Sequence, residues 1–459
     1  MRPPALPSAA KAAKFAAVAA RTSPAHGVPE DPLMPLLGSV ADDFTGATDL
    51  CSMLVRNGMR TVQLIGVPAP GQTVPDADAV VVALKSRTTP AAEAVRDSLA
   101  ALSWLRDAGC RQFFFKYCST FDSTDAGNIG PVGDAMMEAL GCGFTLACPA
   151  FPTNARTVYQ GHLFVGSALL NESGMENHPL NPMRDASLVR VLGRQTPYPV
   201  GLVPFATVER GAGAIRDAMT ALKEQGRHWA VVDAVSDAHL FAIGEAAAKH
   251  ALITGGSGVA LGLPENFRRA GLLPVLADPG ALPMVHGATA VVAGSCSRAT
   301  LQQIGIARQS LPVLQLDPLA TPDAAALAAQ AIAWAKGLLG AKPVVVAASA
   351  APEQVAALQQ KLGREAAGTL IEEALATVAE ALVGLGVRRL VVAGGETSGA
   401  VVTRLGVQSL RIGAEIDPGV PWTYAEGSGV PLLMALKSGN FGAPDFFSKS
   451  FAMLEGAAA

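Results

Sequence analysis

Short apolar runs that stop at Gly, Asp, Pro or a charged residue alternate along the chain with Ala-rich stretches of helical spacing. A strand covered by helices on both faces is apolar throughout, so this pattern predicts repeated βα units around parallel sheets. In the first half the predicted strands are Leu36–Ala41, Thr61–Val67, Ala79–Leu84, Gln112–Tyr117, Phe144–Cys148, Trp229–Val235 and Leu252–Thr254, with helices over Ala91–Ala108 and Gly211–Gln225. In the second half they are Thr289–Ala293, Val313–Leu316, Pro343–Ala347 and Leu390–Ala393, with helices over Ala324–Leu338 and Ile371–Leu385. A stretch rich in Pro and Gly over 272–287 breaks the periodicity, and a new strand follows it. The expected fold class is therefore α/β with two domains, 34–275 and 286–459, each built on a largely parallel sheet flanked by helices, with the active site in the interdomain cleft.

Composition narrows the function. At 459 residues the chain exceeds the ~250 to 300 residues at which single cores stop growing. A net charge of −3 without a basic stripe lacks the electrostatic footprint of a nucleic-acid binder, so a small-molecule partner is expected. The six cysteines form no CxxC pair, which leaves zinc and thioredoxin-type chemistry unsupported. No apolar run reaches the roughly 18 residues that span a bilayer, so no membrane partner and a cytoplasmic location are expected. Residues 1–33 are dominated by Ala and Pro and carry Arg2, Lys11, Lys14 and Arg21 with no acid before Glu30. They read as a disordered extension, although the composition also resembles a transit peptide. Assembly is left open, with a homodimer as one outcome.

The chemistry clusters at predicted strand ends. Asp42 and Asp43 follow the first strand and Thr45-Gly46 opens a helix, so one carboxylate could accept a hydroxyl proton while the other orients it or helps hold Mg²⁺. The plainer alternative is that one of them only caps the helix. Lys85-Ser86-Arg87-Thr88 follows the third strand and Lys116-Tyr117-Cys118-Ser119-Thr120-Phe121-Asp122-Ser123 the fourth. Arg87 offers a planar fork for a carboxylate and Lys116 a point charge. The hydroxyls of Ser119 and Ser123 could read a sugar, with Thr45, Asp122 and Arg156 as further candidates. Isolated Arg and Lys residues are usually solvated surface charges, but three successive strand ends with such side chains define one edge. His162 and His178 lie in a long Pro-bearing loop, either as proton carriers or simply as hydrogen-bonded loop residues. Thr254-Gly255-Gly256-Ser257-Gly258 is a phosphate loop or a plain turn. In the second half Gly294-Ser295-Cys296-Ser297, Gly394-Gly395-Glu396-Thr397 and Lys437-Ser438-Gly439 form Gly-rich turns after strands, where backbone N–H groups can meet phosphate. No GxxxxGK[ST] occurs.

Taken in order, Ala-Asp-Asp-Phe-Thr-Gly-Ala-Thr-Asp, Lys-Ser-Arg-Thr, Lys-Tyr-Cys-Ser-Thr-Phe-Asp-Ser-Thr, Gly-Ser-Cys-Ser, Gly-Gly-Glu-Thr-Ser-Gly and Lys-Ser-Gly-Asn-Phe-Gly resemble the four-carbon acid sugar kinase family over about Met34 to Phe447. The resemblance implies an N-terminal domain for the acid sugar, a C-terminal domain for ATP, and Mg²⁺-dependent phosphorylation of a C4 hydroxyl. 3-Oxo-tetronate is the first substrate implied, with D-threonate and D-erythronate as alternatives. It places Asp42, Asp43, Arg87 and Lys116 in the sugar site, and Ser295, Ser297, Gly394, Gly395, Glu396, Thr397 and Gly439 at the nucleotide. It assigns no metal ligands. Two rivals are a dinucleotide-binding oxidoreductase, against which the missing GxGxxG argues, and a non-catalytic sugar-acid sensor.

Overall fold

The computed structural model describes residues 34–178 and 181–456. The extension expected over 1–33 lies outside them, as do Pro179 and Leu180 of the His178 loop. The N-terminal half runs β1 (Leu37–Ala41), α1 (Phe44–Arg56), β2 (Thr61–Ile65), β3 (Ala79–Ala83), α2 (Ala91–Asp107), β4 (Gln112–Lys116), α3 (Ile129–Ala139) and β5 (Thr145–Cys148). A small antiparallel sheet of β6 (Arg156–Tyr159), β7 (His162–Val165) and β8 (Ala168–Leu169) then occupies the region read as a long loop. The half is completed by α4 (Leu188–Gln195), β9 (Val200–Val203), α5 (Phe205–Val208), α6 (Ala212–Glu224), β10 (Trp229–Val232), α7 (Asp237–Ala246), β11 (Leu252–Gly255) and α8 (Leu263–Arg269).

The C-terminal half runs β12 (Ala288–Ala293), α9 (Arg298–Ala307), β13 (Val313–Gln315), α10 (Ala324–Lys336), β14 (Val344–Ala347), α11 (Pro352–Leu362), α12 (Arg364–Gly384), β15 (Val387–Ala393) and α13 (Gly395–Arg404). It ends with β16 (Ser409–Asp417), β17 (Val420–Glu426), β18 (Leu432–Lys437) and α14 (Phe446–Gly456).

All five residues of β1 and of β3 are buried, as expected for inner parallel strands covered on both faces. The order β2-β3-β1-β4-β11-β5-β10-β9 is parallel throughout, and so is β13-β14-β12-β15-β18. The two sheets are not separate. Antiparallel β17 and β16 extend the second, and β16 pairs with β2 through Ser409↔Leu64, Leu410↔Gln63 and Arg411↔Val62, giving one 15-stranded sheet.

In a flat sheet these reversals would send the carboxyl ends of the two parallel sets to opposite edges. Five strand-to-strand steps separate β3 from β15, and at ~20–25° of twist per step they rotate the strands by about 100–125°. Register shifts within β16 at Ile412/Glu415 and Glu415/Asp417 bend it further. The turn after β3 and the turn after β15 thus come to face each other, and Lys85 Nζ lies 3.4 Å from Glu396 Oε2.

Candidate active site

Adjacent strands β3, β1 and β4 deliver Arg87, Asp42 and Lys116 to one edge, and the backbone laces them together. Asp42 N donates to the Lys116 carbonyl (3.0 Å), while Ser86 N and Arg87 N donate to the Asp42 carbonyl (2.9 and 3.1 Å). Arg87 holds the buried Asp42 with both prongs, Nε to Oδ2 and Nη2 to Oδ1, each 2.8 Å. Nη2 also reaches Asp43 Oδ1 at 2.5 Å. Asp43 caps α1, accepting from Gly46 N (3.0 Å) and Thr45 Oγ1 (2.8 Å), so the capping alternative describes a real contact. A Cβ at Gly46 would lie 2.9 Å from Lys116 Nζ, so glycine there lets the ammonium approach the Asp43 turn.

The two carboxylates are not equivalent. Burial pushes Asp42 above the usual carboxylate range, and Arg87 offsets only part of it. Burial also acts to raise Asp43, but Arg87, Lys116 and the Thr45 and Gly46 bonds outweigh it and hold that carboxyl below the usual range. The Asp43 side chain keeps 25% of its surface, against 5% for Asp42. Asp43 is therefore the ionised, reachable member, and Asp42 is bound to Arg87.

Asp122 stands at the rim of this cluster, with Oδ2 4.0 Å from Arg87 Nη1 and Oδ1 buried without a hydrogen-bond partner. It and Phe121 are non-glycine residues in the left-handed region (φ 43° and 61°), backbone strain of a kind that concentrates at functional sites. Not every candidate joins. The Ser123 hydroxyl is buried and accepts from Gln195 Nε2 (3.0 Å). Ser119 is half-buried in the turn after β4. Arg156 on β6 bonds its neighbour Asn154, and no ion pair links it to the carboxylates among the described residues. His162 bonds the Gln160 carbonyl (2.8 Å), and His178 Nδ1 accepts from Asn181 N (3.0 Å) while lying 3.8 Å from Asp122. A Cβ at Gly256 would sit 2.6 Å from the Pro149 carbonyl oxygen, so the stretch from Thr254, near the end of β11, to Gly258 is close-packed.

Two residues were missed. Asp49 on α1 accepts from Ser257 Oγ through Oδ2, while its Oδ1 is buried without a hydrogen-bond partner. Burial pushes it above the usual range, with Lys116 opposing. The signal was available as a carboxylate inside an otherwise apolar helix. Asn128 Nδ2 staples the Arg87 turn through the carbonyls of Ser86 (2.7 Å) and Thr89 (3.2 Å), a side-chain-to-backbone bond that sequence spacing does not reveal.

On the other side, adjacent strands β12, β15 and β18 end together. Gly294 N and Ser295 N donate to the Ala393 carbonyl (3.0 and 3.1 Å), and Gly394 N donates to that of Lys437 (2.8 Å). Ser297 caps α9 and gives its hydroxyl to the Gly439 carbonyl at 2.5 Å. Ser295, Ser297, Gly394, Thr397 and Gly439 are thereby brought together, while Glu396 turns out towards Lys85. No side chain caps α13, so its first N–H groups are free for an anion. Gly394 has φ 134°, and a Cβ there would approach Thr397 Oγ1 (3.0 Å) and Ser295 N (3.1 Å). We expect Gly394→Ala to cost about 1–3 kcal/mol in this strained conformation. A thermal melt checks this, and an unchanged melting temperature would refute the strain read at this turn. Beside Cys296 lies a cavity of about 330 Å³, lined by Gln315, Leu316, Asp317, Leu358 and Ile371, at the low end of the ~300–1,000 Å³ typical of ligand pockets.

Residues 37–263 match the sugar-binding N-terminal domain family and residues 290–447 the nucleotide-binding C-terminal domain family. Curated 3-oxo-tetronate kinases from Burkholderia multivorans and Cupriavidus necator are each 60% identical, across 92% of this chain and 98% of theirs. The chain belongs to the four-carbon acid sugar kinase family. A further family member, the 3-oxo-tetronate kinase of Salmonella typhimurium, is 44% identical across 90% of this chain and 98% of its own. Among solved structures, a Salmonella typhimurium LT2 protein provisionally described as a tRNA synthase superposes with a TM-score of 0.83 at 44% identity, covering 90% of this chain and 98% of that one. A Haemophilus influenzae protein superposes at 0.77 and 42%, covering 91% and 100%. Among the described residues no helix is long and apolar enough to cross a membrane.

Proposed function

We propose that this chain phosphorylates the C4 hydroxyl of 3-oxo-tetronate with ATP, taking the sugar acid at 34–275 and the nucleotide at 286–459. The observation that carries the reading is the meeting of the two strand-end sets across the Lys85–Glu396 pair: an ionised, reachable carboxylate at one and a capless helix start beside two glycine turns at the other. The names of the curated relatives favour this acid.

Asp43 receives the proton of the C4 hydroxyl, and its Thr45 and Gly46 bonds fix the angle of approach. Arg87 spends Nε and Nη2 on the aspartates, which leaves the Nη1 hydrogens to grip the substrate carboxylate. Lys116 sets the positive field over Asp42, Asp43 and Asp49. The Gly294–Ser297, Gly394–Thr397 and Gly439 turns hold the phosphates, and the apolar cavity beside Cys296 takes the base.

Mg²⁺ needs hard oxygen donors and usually takes one or two carboxylates besides the phosphates. The unpartnered Oδ1 of Asp49 fits that demand, although no group of three or more His, Cys, Asp or Glu side chains suited to a metal occurs among the described residues. Bound there, the ion would neutralise phosphate charge. The Lys85–Glu396 pair is exposed, and such pairs contribute only ~0–1 kcal/mol, so it can open to admit substrates.

ADP formation with ATP, Mg²⁺ and a panel of 3-oxo-tetronates, D-threonate and D-erythronate tests the reading. The expected result is turnover with 3-oxo-tetronate and a 4-phosphate product. Turnover with D-threonate or D-erythronate alone would replace the substrate. Absence of ADP formation with every acid, alongside tight acid binding, would favour the sensor.

A further inference from the structure

Two lysines end apolar strands in the same way, one in each half. Lys116 closes β4 and Lys437 closes β18; both are buried, and each Nζ donates to the carbonyl of the following residue, Tyr117 at 2.8 Å and Ser438 at 3.0 Å. Their surroundings differ. Lys116 faces the carboxylates of Asp42, Asp43 and Asp49. Lys437 is fully buried, and its remaining partners are neutral: Thr300 Oγ1 and the Gly439 carbonyl, each at 2.9 Å.

No carboxylate among the described residues lies within 4.0 Å of the Lys437 ammonium. Of the charged groups on neighbouring elements, Asp417 of β16 pairs with Lys449 of α14, Glu426 of β17 with Arg411 of β16 and Glu396 of α13 with Lys85, while Arg388 and Arg389 of β15 bond the Val383 and Val285 carbonyls and Arg298 opens α9. An ammonium buried without a counter-charge is costly. A site that keeps one implies an anion that visits.

The Gly439 carbonyl collects three donors, from Ser297 Oγ (2.5 Å), Thr300 Oγ1 (2.9 Å) and Lys437 Nζ (2.9 Å). A trans peptide points its N–H opposite to its C=O. Pinning this carbonyl inward therefore turns the Asn440 N–H outward, away from Lys437. A Cβ on Gly439 would crowd Ser297 Cβ (3.2 Å), so the turn tolerates no side chain where the β12 and β18 ends meet.

We propose that Lys437 is a positioning residue for the nucleotide phosphates, holding the Gly439 turn by its carbonyl and carrying a positive charge that is balanced only when the phosphates arrive. The proposal rests on the nucleotide site described above. Burial alone pushes this amine down to about 8, whereas an ordinary lysine titrates near ~10.4. Phosphate charge nearby stabilises the protonated form, so nucleotide binding and protonation reinforce each other reciprocally. The sign follows: below pH 8 the amine is already charged and affinity is flat, and above it nucleotide must recruit a proton.

The test is calorimetric titration of ADP into the full-length protein, without sugar acid, in buffers of different ionisation heat. Between pH 7.5 and 9.5 affinity should fall roughly tenfold, with uptake of roughly half to one proton per ADP near pH 8.7. Lys437→Met should lose both the slope and the uptake. Lys437→Arg should keep binding without titrating. Should neither variant fold, the ¹⁵Nζ signals of the wild-type lysines read the same event, with one expected to titrate near pH 8 and to move upward with ADP. No proton uptake in the wild type, uptake that persists in Lys437→Met, or no lysine signal shifted by ADP would each overturn the proposal while leaving the kinase reading standing. No ADP binding at any pH would instead sink the nucleotide site itself.

Discussion

Replacing Asp43 with Asn is expected to lower kcat by roughly 10²–10⁴-fold, the range a positioned acid or base contributes, while leaving ADP affinity nearly unchanged; the melting temperature should fall, because a carboxylate held below its usual range by Arg87 and Lys116 stabilises the fold at neutral pH. The separation is possible because Asp43 does two things that Asn divides. Asn caps helices about as well as Asp, so the Gly46 N–H keeps its acceptor and α1 keeps its start. The charge disappears, and with it the group that takes the hydroxyl proton. Since Arg87 and Lys116 hold the Asp43 carboxyl below the usual range, loss of rate from this group should set in only below the ordinary Asp value of ~3.9. A mutant with near-normal kcat would remove Asp43 from the chemistry. A mutant that loses ADP affinity would mean that Asp43 shapes the nucleotide side as well.

The parallel strands were legible because burial on both faces leaves a plain signature. Ala-Val-Val-Val-Ala of β3 and Val-Val-Val-Ala of β14 are buried throughout, and such runs bounded by turn residues admit few alternatives. The joining strands were not legible. β17 contains Pro421, and β16 alternates only in part and shifts register twice, so neither carries a clean period. β18 ends in Lys437, a residue that sequence reasoning assigns to the surface and that packing buries completely. At the site, residue types at strand ends identified Asp42, Asp43, Arg87 and Lys116 correctly as neighbours. What they are bonded to depends on distances of a few ångströms between segments far apart in sequence. That Arg87 is half committed to Asp42, or that Ser123 turns inward to Gln195, could be read only from the structure.

Arg87→Ala is expected to destabilise the protein by about 3–5 kcal/mol, the usual cost of removing one partner from a buried ion pair, besides weakening the sugar acid. From sequence the residue reads as a fork for substrate, and its removal would then mainly weaken binding of the acid. The structure adds a cost in folding, because Asp42 retains only 5% of its side-chain surface and receives two of its hydrogen bonds from Arg87. The pH dependence separates the two effects. Asp42 already titrates above its ordinary value, and burial is the leading cause. Without Arg87 its folded-state pKa rises further, so the folded mutant binds a proton that the unfolded chain does not. Stability then falls as pH rises from the unfolded value towards the raised folded one, and the deficit against wild type is smaller at pH 5 than at pH 8. Denaturant unfolding at the two pH values measures this, and the KM for the acid is read at the pH where the mutant remains folded. Arg87→Lys should recover much of the stability, because a charge again faces Asp42, but little of the acid affinity, because a lysine cannot reproduce the planar fork. A deficit independent of pH would show that Asp42 is not the group left unpaired. Full recovery of KM in Arg87→Lys would show that the fork is not what grips the substrate.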